Sequence, residues 1–225
     1  MRQVCHGVDR ALLPVFERIV ECYCPYVLIR CARYTNGRRQ AQQIGVYTLV
    51  SACLAAREVS YIVPVGRIVE TMLRVIGPDV LAGARGEDWR DGPEEPLLVD
   101  PWMQYMAIAL NALKRRGREA IILHHVAGLP APDLARLLEQ PPDVVLARIR
   151  RAERHLARWL GVRDVRPLLA RFAAGLDAGW MQEVADCALD YLARCGHPWP
   201  GLPGRKTVLN HGGHGDHGDK AAKKD

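Results

Sequence analysis

The stretch "GLPAPDLARLLEQPPDVVLARIRRAERHL", residues 128–156, predicts two helices separated by a tight turn. Pro132 and Asp133 suit a first helical turn, because proline lacks a donor that would be unpaired there and the acid complements the positive helix end. After "EQPPD" comes the longest predicted helix, at about 143–160. A short helix, a tight turn and a longer helix together are typical of a helix-turn-helix.

The longer helix separates apolar from basic side chains. Its apolar residues recur at helical spacing and form one narrow stripe, made of Val145, Ile149, Ala152, Leu156 and Trp159. Arg148, Arg151, Arg154 and Arg158 lie away from that stripe. Arginine donors bind phosphates and guanine edges, so this face favours DNA binding. The alternative is an amphipathic hairpin whose arginines are only solvated.

Positive charge is concentrated around the same stretch. Residues 101–171 contain 13 basic and six acidic residues, whereas 84–100 contain two and six, and 172–200 contain one and four. A concentrated basic field favours a polyanion, most often nucleic acid. One hypothesis is that the acidic segment 163–200 docks on the basic face and inhibits it. The alternative is that it adds a pair of packing helices.

Helical periodicity through most of the chain predicts an all-α fold, with two small helical domains joined by an acidic linker. The predicted units are a helical bundle at 1–82, the linker at 83–100, a helix-turn-helix domain at 101–162, a helical extension at 163–198 and a disordered tail at 199–225.

Proline and glycine set the expected helix boundaries in the first unit. Helices are predicted at about 9–35, 39–57 and 66–76. Pro25 predicts a kink or a break in the first helix, because proline removes a backbone donor. Gly77-Pro78 predicts the end of the third helix. The Gly- and Pro-rich linker is expected to be flexible.

A longer stretch carries a family resemblance. "ALNALKRRGREAIILHHVAGLPAPDLARLLEQPPDVVLARIRRAERHL", residues 109–156, resembles the C-terminal DNA-binding region of bacterial sigma factors of the extracytoplasmic-function type. The matching motif includes Leu113, Arg118-Glu119, Gly128-Leu129 and Arg151-Ala152. The resemblance implies a sigma factor that directs core RNA polymerase to promoter DNA. The second unit would read the −35 element, while the first would bind polymerase and melt the −10 element.

The resemblance also implies site residues and partners. The expected DNA-binding residues are Val144, Leu146, Ala147, Arg148, Arg151, Arg154, Arg115 and Arg116. The −10-like segment is expected to use Arg67, Thr71 and Arg74, and polymerase binding is expected to use Gln43, Val46 and Tyr47. An anti-sigma factor is a further candidate partner, and no membrane partner is expected.

The first unit departs from the family pattern. "QIGVYTL" at 43–49 has no carboxylate where the family helix is acidic, and Glu70-Thr71 replaces the usual Arg-Asn. A glutamate near phosphates is repulsive. One alternative is therefore a sigma-derived DNA-binding regulator or adaptor that no longer melts promoters. Another is a protein-interaction module for an acidic partner. In the turn, Glu139 replaces a family glycine, and we expect a left-handed backbone there.

The remaining signals point to structural roles. An odd number of cysteines, seven, and the absence of a signal-peptide pattern predict reduced thiols in a cytoplasmic protein. His124-His125 are expected to cap or pack a helix end. His211, His214 and His217 are a weak metal-binding candidate, against a solvated tail. No catalytic motif is found, so neither an enzyme nor a cofactor is expected.

Overall fold

The computed structural model describes residues 12–59, 63–83 and 95–195, and most of these residues are helical. Their strand-like pairing is limited to an isolated bridge between Gly37 and Pro96. The all-α prediction is confirmed for this part of the chain. The α-helices are α1 (Leu13–Cys31), α2 (Arg38–Val59), α3 (Val65–Gly83), α4 (Pro101–Ala112), α5 (Arg115–Ile121), α6 (Ala131–Leu137), α7 (Pro142–Leu160), α8 (Arg166–Gly175) and α9 (Ala178–Cys195).

Helix α1 continues through Pro25, so the break considered at this residue is wrong. Every residue from Cys22 to Cys31 is buried, because α2, α3, α4 and α9 all pack around this half of the helix. Proline inside a helix costs roughly 3 kcal/mol. Packing on several sides offsets that cost.

Helix α3 also continues past Gly77-Pro78, so the helix end predicted there is wrong. Ile76 and Val80 are both buried, so the apolar face of the helix continues past the proline. Gly77 lies against the ring of Tyr34, where an added Cβ would come within 3.1 Å of ring atoms. The glycine therefore permits a close approach of the α1–α2 turn to α3, and it does not end the helix.

The end of the predicted linker is attached to the α1–α2 turn. The backbone N–H of Arg38 donates to the carbonyl of Glu95 at 2.8 Å, and that of Leu97 donates to Asn36 at 2.6 Å. These two bonds hold residues 95–97 against the α1–α2 turn. Residues 84–94 of the linker lie outside the described part of the chain.

The helices after the linker pack around α7 and the end of α5. Helix α4 begins at an Asp100 cap, whose carboxylate accepts from the Trp102 N–H at 2.8 Å. Helix α5 begins at Arg115 and continues into a π-helical turn at Ile122–Val126. Helices α5 and α6 pack on α7, while α8 packs on the π-helical turn and on α4.

The last helix, α9, packs on α2 and α1. Two carboxylates at the start of this helix pair with Arg38. Asp177, in the turn before α9, lies 3.3 Å from the guanidinium, and Glu183, within α9, lies 3.7 Å from it. The extension thus adds two packing helices that lie on different parts of the chain, and Arg150, Arg151, Arg154 and Arg158 of α7 stay exposed. Buried apolar side chains from Leu12 to Leu192 form one contiguous cluster, so all helices share a core.

Candidate nucleic-acid interface

The α6–α7 pair is joined by a turn whose backbone is set by a few residues. Gly128, with φ of 75°, ends the preceding helical segment, and Pro130 caps α6. Glu139 has φ of 52°, which confirms the left-handed backbone expected there. The Gln140 N–H donates to the carbonyl of Ala135 at 3.0 Å and closes the turn. These features direct the start of α7 away from α6.

Helix α7 has one buried face and one exposed face. Val145, Ile149, Ala152 and Leu156 of the predicted stripe are buried. The fifth member, Trp159, was predicted to join them, and this is wrong. It is 43% exposed, because it lies beyond the core and packs at 5.2 Å on the ring of Tyr105.

The opposite face of α7 is basic and open to solvent. Its exposed arginines are Arg150, Arg151, Arg154 and Arg158. Near the start of the helix Val144, Leu146 and Ala147 are also exposed, although none of them is polar. The helix therefore presents apolar side chains at its N-terminal end and guanidinium groups along its length. Such a surface can contact thymine methyl groups and phosphates.

The start of α5 adds charge beside this face. Arg148 is half-buried, and its pKa is lowered by burial and by the neighbouring Arg116 and Arg115. Its guanidinium donates to Gln140 Oε1 at 3.3 Å. Arg115 lies 3.5 Å from the buried Glu119 carboxylate. Arg115 and Arg148 thus lie near the Glu119 carboxylate, and Arg116 lies near Arg148. The structure brings these three predicted DNA-binding residues together as a net positive cluster.

The −10-like segment lies on α3. Arg67 and Arg74 are exposed on one stripe of the helix, with Thr71 between them. The Thr71 hydroxyl donates to the carbonyl of Arg67 at 2.8 Å, so its proton is used within the helix. Glu70 is buried, so the repulsion expected between this carboxylate and phosphates is wrong.

Glu70 instead joins three helices. Its carboxylate accepts from Tyr26 at 2.6 Å and from Arg30 at 2.9 Å, both on α1, and from Arg118 on α5 at 3.3 Å. Burial raises the pKa of Glu70, but the Tyr26 hydrogen bond and the two guanidinium groups outweigh it and lower the pKa below its ordinary value. The carboxylate is therefore charged and links the first unit to the second.

Asn111 and a second buried carboxylate extend this contact. Asn111, on α4, accepts from Arg30 at 2.6 Å and donates to the carbonyl of Ile29 at 2.8 Å. Glu119 accepts from the Tyr23 hydroxyl at 3.2 Å. Sequence reasoning missed this network. Its only signal was one departure from the family pattern, the unexpected Glu70, in a chain whose Arg118-Glu119 matches that pattern.

The residues expected to bind polymerase lie under or beside α9. Val46 is buried, and Gln43 is half-buried. Tyr47 packs edge-on against Tyr191 of α9, with ring centroids 5.2 Å apart. Val184 of α9 also approaches α2 closely, because Gly45 has no side chain to hold it off. Helix α9 therefore covers this part of α2.

Histidine and cysteine side chains take structural positions in the described residues. His124 Nδ1 lies 2.8 Å from the carbonyl of Leu129, and His125 Nε2 lies 2.8 Å from Glu153. Four of the five cysteines described as free are buried, and burial raises the pKa of Cys24 to about 12. The tail histidines His211, His214 and His217 lie outside the described part of the chain.

The described residues contain no group of three or more His, Cys, Asp or Glu side chains placed to hold a metal ion. Within the same part of the chain, the helices are too short or too polar to cross a membrane. Comparison of the chain with protein-family models, with curated proteins and with solved structures gave no match.

Proposed function

We propose that this chain is a divergent sigma factor of the extracytoplasmic-function type, which binds promoter DNA through α6 and α7 as a helix-turn-helix. The observation that supports the proposal is the division of α7 into a buried apolar stripe and an exposed arginine face. The turn before it has the left-handed residue that this motif needs at Glu139.

In this mechanism α7 lies in a major groove with its N-terminal end toward the bases. Val144, Leu146 and Ala147 contact base edges, and their apolar side chains favour thymine methyl groups. Arg151 and Arg154 bind phosphates along the groove, and the Arg115, Arg116 and Arg148 cluster binds the backbone beside it. Contacts of the arginines with phosphates then provide most of the DNA affinity, and the few apolar contacts with base edges provide the sequence preference.

Selection from a pool of randomised duplexes tests DNA reading directly. We expect the full chain to enrich a short motif that contains thymines, with affinity that falls steeply as salt rises. Run-off transcription with bacterial core RNA polymerase on a template containing that motif then tests sigma activity. Transcripts that start at a fixed distance from the motif support the proposal. Absence of DNA binding at low salt contradicts it and favours a protein-interaction module.

A second candidate function is a sigma-derived DNA-binding regulator that does not bind polymerase. The observation that favours it is the cover of α9 over the face of α2 that the resemblance assigns to polymerase. Tyr47 packs against Tyr191 of α9, and Val46 is buried. A polymerase surface would have to displace α9 to reach them.

A pull-down with core polymerase separates the two candidates. In the variant Gln42→Cys, the new thiol lies beside the exposed Cys187, because Gln42 Nε2 is 3.5 Å from Cys187 Sγ in the wild type. A bis-maleimide cross-link between them holds α9 on α2. If the protein binds polymerase and the cross-link abolishes that binding, the result supports a sigma factor that uses α2. Absence of binding with or without the cross-link, while DNA binding persists, supports the regulator. Wild-type protein treated with the same reagent is the control.

A further inference from the structure

An aromatic patch, formed by Tyr105, Ile108 and Trp159, is exposed where α4 meets the C-terminal end of α7. Tyr105 and Ile108, one helical turn apart on α4, are 48% and 59% exposed. Trp159, in the last turn of α7, is also exposed, and its ring packs on that of Tyr105 with their planes 34° apart. Much of each side chain therefore faces solvent, and clustered apolar exposure of this kind marks binding surfaces.

The elements around the aromatic patch carry basic rather than acidic side chains. Helices α4 and α8 contain no Asp or Glu, and neither does the end of α7, residues 154–160. The Arg171 guanidinium of α8 stacks on the ring of Trp102 in α4, at 4.3 Å from its centroid. Arg158, which precedes Trp159, is exposed. Aromatic rings bordered by guanidinium groups suit a polyanion that itself carries flat rings.

A row of exposed side chains connects the aromatic patch with the arginine face of α7. Ala147, Arg151, His155 and Trp159 are spaced four residues apart, and all four are exposed. Residues at this spacing lie on one side of a helix, about 6 Å apart along its axis. A strand whose phosphates bind Arg151 can therefore continue along α7 to the rings.

We propose that the aromatic patch is a binding site for single-stranded nucleic acid. Bases within a duplex are stacked on each other, so a ring on the protein surface stacks only on a base that is unpaired. Unpaired bases stack on the exposed sides of Tyr105 and Trp159, and Arg158 binds a phosphate beside them. An acidic peptide would match the charge but offer no flat rings. The proposal goes beyond duplex recognition and does not depend on it or on polymerase binding.

Two labelled oligomers of equal length and charge test the stacking. A short oligothymidylate carries bases, whereas an abasic DNA backbone carries only sugars and phosphates. Fluorescence anisotropy with the full chain, near 0.1 M salt, gives both dissociation constants. We expect the oligothymidylate to bind about tenfold more tightly, since the stacking of one base on an aromatic ring contributes at least about that factor.

Variants locate the binding. Trp159→Leu should lower the affinity for oligothymidylate by about tenfold and leave that for the abasic backbone unchanged. Trp159→Phe keeps a ring and should stay within about threefold of wild type. Arg158→Ala, the matched control, should weaken the binding of both oligomers by the same factor, because it removes a phosphate contact. Tyr105→Leu repeats the test at the second ring if Trp159→Leu does not fold.

The proposal is overturned if the wild-type chain binds both oligomers equally, or if a folded Trp159→Leu protein loses affinity for neither or for both alike. It is also overturned if a labelled peptide of alternating glutamate and leucine binds more tightly than oligothymidylate, which would make the patch a protein-binding surface. A wild-type chain that prefers oligothymidylate but does not bind duplex DNA contradicts the proposed function and leaves this inference standing.

Discussion

Two pairs of arginines in this molecule have opposite surroundings. Arg30 and Arg118 are buried, and both bind the Glu70 carboxylate. Arg151 and Arg154, on α7, are exposed, and no acidic side chain pairs with them among the described contacts. The first pair has its counter-charge within the chain. The second pair has a charge that only water, salt or another molecule can neutralise.

The difference separates stability from binding. A buried guanidinium without its partner destabilises the folded state. The first pair therefore stabilises the fold only while Glu70 is present and charged. An exposed guanidinium contributes little to stability and keeps its charge available for phosphate. Changing one pair should therefore affect unfolding, and changing the other should affect DNA affinity, with little overlap.

The largest effect is expected from Glu70→Gln. The substitution keeps the shape of the side chain but leaves Arg30 and Arg118 without a counter-charge. Breaking a buried pair by removing one partner costs about 3–5 kcal/mol, and urea unfolding followed by circular dichroism measures it. Glu183→Gln, at an exposed pair with Arg38, is the matched control and should change stability by less than about 1 kcal/mol. Equal effects from the two variants would mean that the network does not stabilise the fold.

The second effect concerns the exposed pair, and it depends on the proposed DNA binding. Arg151→Ala with Arg154→Ala should lower DNA affinity by about two orders of magnitude near 0.1 M salt and reduce the salt slope by about 2, if each arginine contacts one phosphate. Stability should barely change. The control double variant, Arg171→Ala with Arg194→Ala, removes the same charge from α8 and α9. An unchanged salt slope in the α7 variant would contradict the proposed docking.

Sequence reasoning predicted the exposed arginines but not the buried ones, and the cause is physical. The spacing of Val145, Ile149 and Ala152 fixes which side of α7 is buried, so Arg151 and Arg154, which lie off that side, face outward. Glu70 is different, since its partners Arg30 and Arg118 are 40 and 48 residues away in sequence. Only the packing of α1 and α5 on α3 brings them together. The cover of α9 over α2 likewise depends on contacts between distant segments.

A third prediction compares the two buried carboxylates. Burial raises the pKa of Glu119, with Arg115 and Tyr23 opposing it, whereas the pKa of Glu70 is lowered. The charged form of Glu119 therefore destabilises the fold, and Glu119→Gln should increase stability at pH 7. That gain should disappear as the pH falls below about 4.5, the ordinary value. The loss caused by Glu70→Gln should persist to about that pH and shrink only below it.

Thermal unfolding of both variants between pH 3 and pH 8 checks these directions, and equal pH dependence in the two would contradict the assigned environments. The Glu70 variant also tests the separation between the two arginine pairs. In the described contacts Glu70 touches none of the arginines proposed to bind DNA. DNA affinity of the folded Glu70→Gln protein should therefore stay within about threefold of wild type, below the about tenfold that one phosphate contact contributes.

The smallest effect concerns the turn that aims the exposed pair. Glu139 has φ of 52°, a backbone that costs a side-chain-bearing residue about 1–2 kcal/mol. Glu139→Gly relieves that strain but loses about 0.5–1 kcal/mol of backbone entropy, so a net gain of about 0.5 kcal/mol is expected. Glu139→Gln removes the same charge and keeps the strain, so it should leave stability unchanged. If both variants gain equally, charge repulsion is the cause, and the turn before α7 is not strained.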